Sequence, residues 1–164
     1  MSMVGNLLRV TNSELQEYLK DSSLLEDRIY NDEIDDIKLT DIDTAWEGIV
    51  FLLTGQCMAE ADHPLLAVLF SGRVINEDQD LGYGPAHYVT PEHVKNLHDQ
   101  ISNFTIADLK QRFDPLKMTG LGVYPEIWEE GEEAFNYLNE YFVTVQRVYH
   151  KASSNNEAII TFLS

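Results

Sequence analysis

A chain of 164 residues has room for one hydrophobic core, and dividing it would leave two that are each too small to be comfortable. Hydrophobic residues make up 44% and aromatics 10%, enough apolar surface to offset the entropy of ordering, which sets disorder aside. The formal charge is −17, and a field of that sign repels phosphate backbones and anionic lipid, so no nucleic acid and no membrane are expected as partners.

No run of eighteen apolar residues suggests a membrane span. The start, Met1-Ser2-Met3-Val4-Gly5, has no basic segment leading into an apolar one, so no signal peptide is expected. Cys57 is the lone cysteine and cannot form an internal disulfide, which agrees with a reducing compartment. A cytoplasmic location is the simplest expectation.

No repeat or proline-rich linker divides the chain. Leu7, Leu8 and Val10 suit a short strand, after which Thr11-Asn12-Ser13-Glu14 reads as a capping box for a helix carrying Leu15, Tyr18 and Leu19. From Glu26 to Asp43 the chain is acidic, and Asn31-Asp32-Glu33-Ile34-Asp35-Asp36 reads as an exposed loop. Ile42, Ala45, Trp46, Ile49, Val50 and Leu53 recur at steps of three and four and line one face of a helix that Gly55 stops.

The run Pro64-Leu65-Leu66-Ala67-Val68-Leu69-Phe70 is apolar on all sides and fits either a buried helical turn or a buried strand. Asn76 to Pro85 is a polar loop with glycines, and Ala86-His87-Tyr88-Val89 suits a strand. Thr90-Pro91 marks a helix start, with Val94, Leu97 and Ile101 on the inner face. Thr105 with Asp108 repeats the capping pattern for a shorter helix ending near Phe113-Asp114-Pro115.

The longest periodic segment runs from about Glu132 to Ala152, with an apolar stripe of Ala134, Leu138, Tyr141, Phe142, Val145, Val148, Tyr149 and Ala152. Ser153-Ser154-Asn155-Asn156 breaks it, and Ala158-Ile159-Ile160-Thr161-Phe162 reads as a closing strand at the centre of a small sheet. The expected fold class is α+β: a helix-rich single domain with a small mixed or antiparallel sheet that includes the N- and C-terminal strands.

Several stretches in this order resemble the YfbM-like family of bacterial proteins, a domain of unknown function. They are Asp41-Ile42-Asp43-Thr44-Ala45-Trp46, Leu52-Leu53-Thr54-Gly55, Gly82-Tyr83-Gly84-Pro85-Ala86, Tyr88-Val89-Thr90-Pro91, Arg112-Phe113-Asp114-Pro115 and Tyr124-Pro125-Glu126-Ile127-Trp128. The resemblance spans nearly the whole chain and implies a single α+β domain. It brings no catalytic residue or cofactor.

The chemistry-bearing constellations each have a plainer reading. Gly82-Tyr83-Gly84-Pro85 lacks a lysine and precedes a strand, so it reads as a turn and not as a phosphate loop. Counted as a calcium loop from Asn76, the positions that need glycine and glutamate hold Leu81 and His87. His93 and His98 are five apart, about 140° around a helix, which does not suit a shared metal. Ser71 lacks the flanking glycines of a nucleophile elbow, and Cys57 follows a helix end, where no dipole activates it. No metal and no cofactor are expected.

Two readings remain. In the preferred one the chain is a non-enzymatic acidic protein that binds a basic protein, possible forms being an immunity or antitoxin partner of a bacterial toxin. Its expected partner surface is Glu126, Trp128, Glu129, Glu130, Glu132 and Glu133, with Trp128 as anchor among acids. The plainer account makes these acids a solvated helix start and lets Trp128 close the core. In the alternative reading a small enzyme or ligand-binding domain has its pocket near the Gly82-Pro85 loop, formed by Arg73, Tyr83 and His87. The oligomeric state is not legible.

Overall fold

The computed structural model describes residues 2–164. Four strands form one antiparallel sheet of order β2-β1-β4-β3, with β1 Gly5–Val10, β2 Leu39–Asp41, β3 His87–Val89 and β4 Ala158–Leu163. The two ends of the chain pair in its middle: Gly5 faces Leu163 and Val10 faces Ala158. Val4 and Ser164 extend the ladder by exchanging both backbone hydrogen bonds at 2.9 Å.

Every residue of β4 is buried, because both faces of the sheet are covered. Leu7, Ile159 and Leu163 point into the larger core, while Leu8, Val10, Ala158, Ile160 and Phe162 point into the smaller one. That division follows from the alternation of side chains along a strand. The smaller core is closed by α1 (Asn12–Lys20), α2 (Ser23–Ile29) and the loop carrying Ile75, Leu81 and Ala86. The larger is built by α3 (Trp46–Thr54), α4 (Pro91–Ile101), α5 (Ile106–Arg112), α6 (Pro115–Gly120) and α7 (Glu132–Ser154).

The caps read from the sequence are present. Thr11 and Glu14 satisfy each other's backbone donors at the start of α1, and Thr105 with Asp108 does the same for α5. The Thr90 hydroxyl accepts from the His93 N–H at the start of α4. Phe113-Asp114-Pro115 is a boundary and not only an end: Asp114 accepts from the Lys117 N–H, and Pro115 opens α6, which the sequence reading did not anticipate. It also missed α2 and β2, whose short segments are too brief for a periodicity to show.

Helix α3 is not one-sided as expected. Trp46 through Leu53 are all buried, Glu47 and Gly48 included, because the helix is wrapped on all sides by α7, the Trp128–Glu130 turn and the 3₁₀ turn Pro64–Val68. The Glu47 carboxylate is satisfied there by the backbone N–H groups of Met58 and Tyr124, each at 2.9 Å. Gly48 lets Trp128 and Leu138 approach: a Cβ at this position would lie 2.6 Å from Trp128 Cη2 and 2.8 Å from Leu138 Cδ1. Gly48→Ala is therefore expected to cost about 1–3 kcal/mol through overpacking, read as a fall in the urea midpoint at unchanged slope.

The apolar run after Pro64 settles as a 3₁₀ helix over Pro64–Val68. Two buried hydroxyls take up carbonyls around its end: Tyr149 Oη donates to Val68 O at 2.7 Å, and Thr161 Oγ1 donates to Leu69 O. Burial pushes the Tyr149 phenol far above its ordinary range, so it stays a donor. Among the described residues no helix is long and apolar enough to cross a membrane.

Candidate functional site

Three of the predicted pocket residues do not come together. The Arg73 guanidinium lies 4.9 Å from the centre of the Tyr88 ring, and Arg73 O accepts from the Tyr88 N–H. His87 is the preceding residue of β3 and so points to the other side of the strand, edge-on to Phe70 at 5.7 Å. Its Nδ1 accepts from the Gly72 N–H at 3.1 Å, and burial pushes its pKa down. Tyr83 stands at the tip of a turn in which Asp80 Oδ1 accepts from the N–H groups of Gly82 and Gly84. The glycines serve that turn, and among the described residues no hollow lined by all three side chains is found.

The histidines are also dispersed. His93 and His98 lie on different sides of α4, and His98 faces His150 of α7 with ring centres 5.4 Å apart. Among the described residues no three His, Cys, Asp or Glu side chains gather as a metal set.

Trp128 is a correction to the expected partner surface. Its side chain has no solvent exposure, its Nε1 donates to Val123 O at 2.7 Å, and it packs over Gly48 and against Phe113 at 6.3 Å. The plainer sequence reading describes it: it closes the larger core. The five acids around it, Glu126, Glu129, Glu130, Glu132 and Glu133, do face solvent.

Two acidic segments nevertheless meet at a joint the sequence did not reveal. Asp43, in a left-handed conformation with φ 50°, presents its carboxylate to Tyr137 of α7, whose hydroxyl donates to Asp43 Oδ2 at 2.9 Å. Burial, with the hydrogen bond to Asp43 and its charge and against a hydrogen bond with Thr44, pushes the Tyr137 pKa up to about 12. Tyr141 lies one turn on, its ring centre 5.1 Å from that of Tyr137. Its hydroxyl is pushed up by burial and then by the charges of Asp43, Glu140 and Asp41. Glu133, Tyr137 and Tyr141 follow at helical steps of four and share a side of α7. The acidic segment that ends at Asp43 therefore abuts the acidic start of α7.

That first segment carries its own groove, about 450 Å³, whose lining includes Arg28, Asp32, Ile34, Asp35, Asp36 and Asp41. The cations of this segment, Arg28 in the groove and Lys38 outside it, are already engaged. Arg28 bonds Asp36 at 2.8 Å, Glu14 at 2.9 Å and Tyr18 at 3.1 Å, and its guanidinium holds the Asp36 carboxyl below the usual range. Lys38 pairs with Glu157 at 3.1 Å. Among the described residues no cation lies within 4 Å of Asp32, Glu33, Asp35 or Asp41. Beside these unpaired acids stand exposed apolar side chains, Tyr30 at 57%, Ile34 at 65% and Ile37 at 86%.

A family model described as a domain of unknown function, DUF1877, matches residues 1–162. The chain belongs to this family. The fold of this DUF1877 chain is similar to that in the crystal structure of YfbM, a protein of unknown function from Escherichia coli. The TM-score is 0.78 at 14% identity, over 98% of this chain and 99% of that one. At that identity the likeness speaks for the fold alone. No curated protein matches.

Proposed function

We propose that this DUF1877 chain is a non-enzymatic binding protein that captures a basic protein on its acidic face, in the manner of an immunity or antitoxin partner of a toxin. The observation that carries the reading is the Tyr137–Asp43 contact, which makes two acidic segments distant in sequence into neighbours. Unpaired carboxylates supply long-range attraction. Exposed Tyr30, Ile34 and Ile37, with the Tyr137–Tyr141 pair, supply apolar and aromatic surface onto which arginine or lysine side chains can pack. The reading places the anchoring side chains in the loop after α2 and on α7, and not at Trp128.

The test is affinity capture from the source cell at low and high salt, with wild type beside a quadruple variant Asp32→Asn, Glu33→Gln, Asp35→Asn and Glu140→Gln. All four positions are exposed, so the variant is expected to fold as the parent does. A basic partner retained by wild type at low salt should be lost at high salt, and its association with the variant should be slower by about tenfold. A partner held equally by both proteins, or none at any salt, would remove this reading.

A further inference from the structure

We propose that a second, oppositely charged site lies on this molecule: the groove between Arg73 and the first turns of α4 binds a small, multiply charged oxyanion. Two contiguous hollows of about 440 and 590 Å³ share Arg73, Thr90 and Glu92. Both are shallow and open to solvent. Their lining is rich in donors: Arg73, His93 and Lys95, with the side-chain amides of Asn12, Asn96 and Asn156. Glu92 is the one carboxylate among the lining residues. In a chain of net charge −17, a hollow with two permanent cations against one acid stands out from its surroundings.

The cations here are also unspent. Arg9 and Arg28 are neutralised by carboxylates, and Arg112 donates to the carbonyls of Leu52 and Leu53. Among the described residues neither Arg73 nor Lys95 has a carboxylate within 4 Å. Arg73 is nonetheless held in place. Its N–H donates to Ser71 Oγ at 3.2 Å, its carbonyl accepts from Tyr88, and its guanidinium rests on the Tyr88 ring. A positioned guanidinium presents a donor fork to two oxygens of one anion and loses little freedom in doing so.

The Asn96 carbonyl already accepts from Gln100 Nε2 at 2.7 Å, which leaves its NH₂ group to turn toward a ligand. The helix end contributes little by itself, since the Thr90 hydroxyl already accepts from the His93 N–H. The donors that matter are side chains on separate segments of the chain. Their shared chemistry fits a phosphate-bearing or polycarboxylate metabolite: Arg73, Lys95 and Glu92 line the larger hollow, and Arg73, His93 and Glu92 the smaller one beside it. This site is independent of the acidic face, and loss of that reading leaves it intact.

His93 makes the site sensitive to pH. Burial, and then the nearby Arg73 charge, push its pKa down, so at neutral pH the ring is uncharged. A bound anion favours the protonated ring, so the His93 contribution to affinity should rise as pH falls below the ordinary histidine range, while protonation of the anion itself works against it.

Amide chemical shifts of isotopically labelled protein, titrated separately with pyrophosphate and with citrate at constant ionic strength, test the proposal. Saturating shifts confined to residues 12, 72–73, 90–96 and 156 are expected, with a dissociation constant on the order of 1 mM. The tighter of the two probes identifies the phosphate or the carboxylate source. Arg73→Gln and Lys95→Gln should each weaken binding by about three- to tenfold, and Glu92→Gln should tighten it. His93→Asn should change the pH profile relative to the parent measured with the same probe, while leaving binding at neutral pH. Shifts that scatter over the surface or fail to saturate overturn the proposal, as does an Arg73→Gln variant that titrates like the parent.

Discussion

Trp128→Ala is expected to be the most damaging single truncation in this protein, costing about 3–5 kcal/mol and lowering the melting temperature by about 10 °C. The indole is fully buried and fills space that α3 leaves open at Gly48, so its removal leaves a cavity walled by Leu138 and Phe113. It also leaves Val123 O without the Nε1 donor that now lies at 2.7 Å. Trp128→Phe keeps much of the ring volume and loses the hydrogen bond, so it should cost roughly half as much. Thermal unfolding followed by circular dichroism measures both. A wild-type melting temperature in the alanine variant would contradict the packing described, and a loss of partner binding at full stability would restore Trp128 as a surface anchor.

The second large effect is expected at Glu157. Its side chain is almost fully buried at the entry to β4 and receives Arg9 Nη1 from β1 at 2.8 Å and Lys38, just ahead of β2, at 3.1 Å. Three parts of the sheet are thereby tied to one carboxylate. Glu157→Gln leaves the half-enclosed Arg9 charge without a counter-ion and should cost about 2–4 kcal/mol. Lys38→Gln should cost less than about 1 kcal/mol, because that ammonium is more exposed and Arg9 still satisfies the acid.

The pH dependence of that difference is a separate check. Burial pushes the Glu157 carboxyl up, but the hydrogen bonds and charges of Lys38 and Arg9 outweigh it and hold the group below its ordinary value of 4.5. A carboxyl lowered in the folded state contributes fully above its unfolded pKa. That contribution is lost as pH falls through the lowered folded value. Wild type and Glu157→Gln should therefore differ most above about pH 4.5 and converge below it. Parallel unfolding free energies through the acid range would show that Glu157 is protonated alike in both states.

How far the fold could be read ahead depended on segment length. The stripe on residues 132–152 covers several turns, and α7 follows it closely, extending only to Ser154. The capping pairs at Thr11, Thr90 and Thr105 could be read because their partners are three residues away. β2, with three residues, and α6, with six, offer too few repeats for any pattern to stand out. Within α7 the stripe left out one ring: Phe135 takes a place in the core, while Tyr141 is half-buried against it with acids nearby. Helical spacing names a face but does not mark where its buried part stops.

The candidate sites were less legible for the same kind of reason. Tyr137 and Asp43 are separated by 94 positions, and their contact exists only because α7 lies against the turn before α3. Arg73 is expected from sequence to share a pocket with Tyr83 and His87, and the structure sets it apart from both. Tyr88 turns its guanidinium away from His87, toward the helix that carries His93 and Lys95. No local spacing encodes that choice.

The sequence alone determined the class of fold, the caps, the long helix, the central place of the closing strand and the acidity of the surface. Each of these is set by neighbours within a few positions or by composition. The tertiary structure alone decided that Trp128 is core and not contact, that α3 is enclosed on every side, that separate acidic segments adjoin through Tyr137, and that one hollow is basic. These depend on which distant side chains exclude water from one another, and that is settled only when the helices close over both faces of the sheet.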